Sequence, residues 1–120
     1  MKKLITLSLV GVLGVILGSS AALANYGENN SLAGYVKEYA TLIPLSGARV
    51  KLYTRGGSYK DSDMSSLRGK YKFSDLKEGT YRVRTSKTGY RNPVDMKKNI
   101  VSKTVKVDGP ERKNLYLQKI

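Results

Sequence analysis

From Ser31 onward, apolar residues recur at every second position in short runs, and Gly, Pro or Asp closes each run. A period of two is what a half-buried strand requires, because successive side chains point to opposite faces of a pleated sheet. Leu32, Gly34 and Val36 alternate with Ala33, Tyr35 and Lys37. After a turn marked by Pro44, Ser46 and Gly47, the residues Ala48, Val50 and Leu52 alternate with Arg49, Lys51 and Tyr53. Arg55-Gly56-Gly57 ends that run, residues 58–63 give a short strand, and Met64 to Gly69 form a loop. Tyr71 and Phe73 then alternate with Lys70 and Lys72. Beyond a turn at Ser74 to Gly79, Tyr81 and Val83 alternate with Arg82 and Arg84, which reads as an antiparallel hairpin. Residues 86–98 form a long connection, and Asn99–Val107 and Lys113–Lys119 make a last pair of strands around Asp108-Gly109-Pro110. Seven short strands spaced roughly 8–12 residues apart predict an all-β fold, a seven-stranded Greek-key β-sandwich.

The first 24 residues are of another kind. Lys2 and Lys3 precede the apolar run Leu4–Leu17, and small residues lead to Ala22-Leu23-Ala24. This is the three-part pattern of a secretory signal, with cleavage expected after Ala24. The alternative is an uncleaved anchor, since Leu4–Ala24 carries no charge. The strongly apolar part is short for a span and no basic cluster follows it, so no stable membrane span is expected after processing. Residues 25–30 are read as a flexible lead-in and residues 31–120 as the domain. An exported protein, periplasmic or secreted, follows. With no Cys in the chain there is neither a lipid-bearing cysteine nor a disulfide, so the domain relies on its core alone.

The alternating blocks resemble a known family. Gly34-x-Val36 followed by Pro44-Leu45-Ser46-Gly47-Ala48-x-Val50-x-Leu52 is similar to the start of carboxypeptidase regulatory-like domains. The stretch Gly69-x-Tyr71-x-Phe73-x-x-Leu76-x-x-Gly79-x-Tyr81-x-Val83, then Gly89-Tyr90, resembles that family's central signature. The resemblance covers residues 31–120 and implies the prealbumin-like sandwich shared with transthyretin and with collagen-adhesin B-type domains. One departure is the insertion of Met64 to Arg68 between the acidic pair Asp61 and Asp63 and Gly69.

The residue inventory bears on chemistry. With no His and no Cys, the chain has no His-based acid–base group, no Ser-His-Asp or Cys-His nucleophile and no Cys/His zinc site. The hydroxyisourate hydrolase that shares the prealbumin-like fold uses His residues and a C-terminal Tyr-Arg-Gly-Ser, whereas this chain ends Leu117-Gln118-Lys119-Ile120. Adhesin-type relatives form a Lys–Asn isopeptide promoted by a Glu four residues after the Tyr of Gly-x-Tyr. That position is Thr85 here, and Lys37 and Asn114 are loose candidates that read better as surface residues. Asp61-Ser62-Asp63 falls short of the six or more oxygen ligands of a calcium site and reads as a turn. No enzyme, no metal and no cofactor is expected.

Charge placement is the remaining signal. There are 22 Lys and Arg against 9 Asp and Glu, and removing residues 1–24 takes away two Lys and no acid, leaving 20 − 9 = +11. If the strands around Tyr71 and Tyr81 pair, Lys70, Lys72, Arg82 and Arg84 share one outer surface, which Arg49 and Lys51 extend. Such a face suits an anionic polymer such as an acidic polysaccharide, lipopolysaccharide or nucleic acid, with Tyr35, Tyr53 or Tyr59 stacking on rings. The alternative is a solvated face whose cations discourage edge-to-edge aggregation. The expected function is an exported, non-enzymatic binding or structural accessory module. A subunit of a cell-surface or filament assembly with a protein partner, or a transthyretin-like small-ligand carrier, are the other readings.

Overall fold

A computed structural model describes residues 30–120; the predicted signal segment and most of the lead-in lie outside the described residues. Among the described residues nine strands form two sheets: β1 (Ser31–Glu38), β2 (Arg49–Thr54), β3 (Tyr59–Met64), β4 (Lys70–Phe73), β5 (Gly79–Ser86), β6 (Tyr90–Arg91), β7 (Val101–Val107), β8 (Pro110–Arg112) and β9 (Leu115–Lys119). One sheet runs β4-β1-β9-β6, with β8 also against β1; the other runs β3-β2-β5-β7. The β-sandwich is as the alternation predicts, and the seven expected strands are all present. The two additional strands, β6 and β8, are two and three residues long and fall within or beside segments that read as connections.

The core lies between the sheets and is made by the inward-facing half of each alternation. Leu32 and Val36 of β1, Val50 and Leu52 of β2, Tyr71 and Phe73 of β4, Tyr81 and Val83 of β5, and Leu115 and Leu117 of β9 are all buried. Tyr71 and Phe73 pack with ring centroids 5.9 Å apart, within the range where aromatic pairs add to simple burial.

Two expected pairings are replaced by crossings between sheets. β4 pairs with β1, Gly34 opposite Tyr71, while β5 lies in the other sheet between β2 and β7. The segment Ser74–Glu78 is therefore an arch. Its Leu76 is buried in the core, its N–H donates to the Asn30 carbonyl at 3.0 Å, and Asp75 takes a positive φ of 57°. A hairpin turn has no use for a buried leucine; an arch needs one to close the end of the sandwich. Tyr81 fastens the same arch, its hydroxyl donating to the Lys77 carbonyl at 2.7 Å. Likewise β7 and β9 do not pair: the chain crosses at Asp108–Gly109, and β9 runs parallel to β1.

Where β8 passes into β9 the ladder is interrupted at Lys113 and Asn114. The Lys113 N–H donates to Ala33 O at 2.9 Å, and the Asn114 side-chain oxygen accepts from the Tyr35 N–H at 3.0 Å. The Lys113 carbonyl points into the sandwich and accepts from the Tyr71 hydroxyl. Gly34 makes room for it, since a Cβ there would lie 1.9 Å from that oxygen. Gly69 is the second close approach: it has φ +79°, a Cβ would lie 2.7 Å from Val36 O, and its own carbonyl accepts from Val36 N. Its left-handed backbone excludes a side chain independently.

Candidate functional site

Lys70 and Lys72 do not share a surface with Arg82 and Arg84, which corrects the expected basic patch. The first pair lies on the outer side of the β1 sheet and the second on the outer side of the β2 sheet, on opposite faces of the sandwich. The cause is the arch: it exchanges sheets between β4 and β5, so equal alternation on the two strands aims their cations in opposite directions.

What the structure does gather is Arg49, Lys51, Arg82 and Arg84, all exposed on adjacent strands, with Lys51 opposite Arg84. Lys106 of β7 joins them, because it pairs with Thr80 of β5 and so faces the same way. Like charges placed opposite repel. The Arg84 guanidinium instead leans over the Tyr53 ring, 5.0 Å from its centroid, and Tyr59 packs edge-on against Tyr53 at 5.9 Å. Of the three tyrosines read as platforms for a ligand's rings, Tyr53 and Tyr59 lie on this face and Tyr35 on the other, beneath Lys37 Nζ at 5.6 Å. Every outward position of β2, β3, β5 and β7 is basic, hydroxylic, aromatic or, at Met64, apolar; none is a carboxylate.

The acids of this sheet sit on β3 at inward positions, Asp61 opposite Leu52 and Asp63 opposite Val50. They lie in a strand, not the turn expected of them, and their carboxylates are used by the backbone. Asp61 accepts from the Ser62 N–H at 2.8 Å; Asp63 accepts from Met64 N at 2.9 Å and from Lys72 N of β4 at 2.8 Å. Among the described residues no group of three His, Cys, Asp or Glu is placed to hold a metal ion. The edge of β3 is thereby sealed at the outward N–H groups of Ser62 and Met64, each taken by the preceding acid, and Asp63 also ties the strand to β4.

The opposite edge differs. Ser62 and Met64 point their N–H groups away from β2, so alternation along the antiparallel ladders assigns direction to every later strand. Arg49 and Lys51 bond toward β5, Thr85 and Val83 toward β7, and the β7 partners Val101, Lys103 and Val105 back toward β5. Ser102, Thr104 and Lys106 are left with N–H and C=O groups directed outward, beyond the last strand of the sheet. The outward carbonyl of Ile100, one step earlier, is already occupied by Asn92 Nδ2 at 3.1 Å.

Behind this edge the sandwich opens into a cavity of about 270 Å³ lined by Tyr39, Val94, Val101, Lys103 and Tyr116, among others. Lys103 holds an inward position, opposite Val83, yet is exposed. A sequence signal for it existed: in Val101-x-Lys103-x-Val105-x-Val107 a cation interrupts the apolar series, as edge strands with inward charges do. Lys37 and Asn114 are both placed toward the outside, with Asn114 bonded to the Tyr35 backbone; Thr85 is buried and donates to Arg49 O at 3.0 Å. Burial raises the Tyr71 hydroxyl pKa well above its ordinary value.

The fold recurs in solved structures. The backbone protein of the group B streptococcus pilus 2b superposes with a TM-score of 0.62 at 18% identity, over 76% of this chain and 41% of that one. The major pilin subunit of Bacillus cereus gives 0.59 at 15% identity, over 75% and 30%. The 5-hydroxyisourate hydrolase of Klebsiella pneumoniae gives 0.58 at 15% identity, over 75% and 91%. This chain thus spans under half the length of either pilin subunit. Among curated proteins, no sequence matches. At these identities the likeness is one of fold. The family model for the carboxypeptidase regulatory-like domain matches residues 31–118, from the first residue of β1 to within two of the C-terminus, and the chain belongs to that family.

Proposed function

We propose that this protein is a non-enzymatic β-sandwich module of an exported, cell-surface protein assembly, contacting its partner through β7. The observation that carries the reading is the asymmetry of the two edges of one sheet. Acids seal β3, whereas β7 presents the backbone groups of Ser102, Thr104 and Lys106 to a further strand. Soluble proteins block edges they do not use, and strand addition is a recurring mode of recognition. The pilin subunits named above have the same sandwich within longer chains, which is consistent with a part in assembly. Export rests on the three-part segment at residues 1–24. A photo-crosslinking residue at Thr104, compared with one at Ser62, tests the reading in the cells that make the protein. Adducts at position 104 and none at 62 are expected. No adduct at any exposed position, together with a monomer by light scattering, overturns it.

A second reading is favoured by the carboxylate-free face. Arg49, Lys51, Arg82 and Arg84, with Tyr53 beside them, form a platform for an anionic polysaccharide, lipopolysaccharide or nucleic acid. Neutralising all four lowers the salt needed to elute the protein from heparin resin, and does so more than neutralising Lys70 and Lys72. Unchanged retention removes this reading.

A further inference from the structure

We infer that the β7 edge accepts an extended segment of a partner protein whose inward side chains read apolar–acidic–apolar, the acid meeting Lys103. This rests on the assembly reading and specifies the partner. Three independent features converge on one strip of surface. The outward groups of Ser102, Thr104 and Lys106 offer main-chain hydrogen bonds at the two-residue spacing of an added strand. The cavity beside them has apolar walls from Tyr39, Val94, Val101 and Tyr116, so the inward side chains of that strand have somewhere to go. Val94 is 90% exposed and Tyr39 56%, values that an occupant would reduce. Lys103 lines the same cavity and is its one cation among the described residues.

Charge selects among occupants. A second copy adding through its own β7 would crowd the Lys106 side chains of both strands onto the outer face that carries Arg82 and Arg84, and in the register centred on Lys103 would set the two Lys103 side chains opposite each other; like charges across a ladder destabilise it. A wholly apolar strand would bury the Lys103 ammonium without a partner, which is costly. An acidic residue opposite Lys103, flanked by apolar ones opposite Val101 and Val105, meets both demands.

The test uses the synthetic probe acetyl-Thr-Val-Thr-Asp-Thr-Val-Thr-amide and a second probe with Lys in place of Asp, followed by amide hydrogen exchange in NMR. In the free protein the amides of Ser102, Thr104 and Lys106 exchange fast, while those of Lys103 and Val105, bonded to β5, are protected. The Asp probe slows the first three by about tenfold or more at saturation, and the Lys probe does not. Thr104→Pro removes one outward donor without touching the β5 ladder and abolishes the effect. Lys103→Glu, which leaves the backbone intact, exchanges the preference between the two probes. Unaltered exchange at the three amides, or equal protection by both probes, overturns the proposal. If cross-links still form at position 104 in cells, the assembly reading stands while this partner chemistry falls.

Discussion

Replacing Gly34 by Ala is the sharpest test of the packing at the heart of the domain. The new Cβ would lie 1.9 Å from the Lys113 carbonyl oxygen, and real Cβ contacts essentially never fall below 3.0 Å, so about 1.1 Å of movement is required (3.0 − 1.9). The obstacle is backbone, so no side-chain rotation relieves it. Moving Lys113 away strains three hydrogen bonds: its carbonyl to the Tyr71 hydroxyl, its N–H to Ala33 O at 2.9 Å, and the neighbouring Asn114 oxygen to Tyr35 N at 3.0 Å. At about 1 kcal/mol each these amount to about 3 kcal/mol. Overpacking adds about 1–3 kcal/mol, giving a loss of about 4–6 kcal/mol. Against the roughly 5–15 kcal/mol typical of small domains, that removes between about a third and all of the stability. Urea unfolding followed by tyrosine fluorescence suits a chain with nine Tyr and no Trp. Gly56→Ala is the control, since a Cβ there meets nothing within 4 Å; a change within about 0.5 kcal/mol is expected. A loss below about 1 kcal/mol for Gly34→Ala would refute the close approach of β8–β9 to β1.

Tyr71→Phe leaves the inward Lys113 carbonyl without its donor and is expected to cost about 1–3 kcal/mol by the same assay. Because burial raises the Tyr71 pKa, the unfolded chain loses that proton first on titration upward. Its contribution is therefore complete below the unfolded value near 10 and declines above it, and ultraviolet titration should show one tyrosine ionising only as the protein unfolds. Ser65→Ala removes a buried hydroxyl that donates to Leu45 O at 2.7 Å and accepts from Ala48 N at 2.8 Å, with an expected loss of about 1–3 kcal/mol in denaturant midpoint measurements. Asp63→Ala frees the N–H groups of Met64 and Lys72. It should unseal the β3 edge and produce concentration-dependent association in light scattering beyond that of the parent protein.

Much of the fold is present in local pattern. The inward series Leu32-Val36, Val50-Leu52, Tyr71-Phe73, Tyr81-Val83 and Leu115-Leu117 can be read residue by residue, because a half-buried strand imposes a period of two whatever it pairs with. The pattern also holds the clue to an edge strand, in Lys103. Alternation says which side of its own strand a residue occupies and nothing about which sheet the strand joins. The placement of Lys70 and Lys72 on one face and Arg82 and Arg84 on the other was decided by Leu76, whose burial closes the end of the sandwich and sends β5 into the opposite sheet. The sealed and open edges likewise emerge only when β3 and β7 become the outermost strands. Strand identity is a short-range property of side-chain spacing, whereas sheet membership, shared charge faces and free edges depend on contacts between segments far apart in the chain.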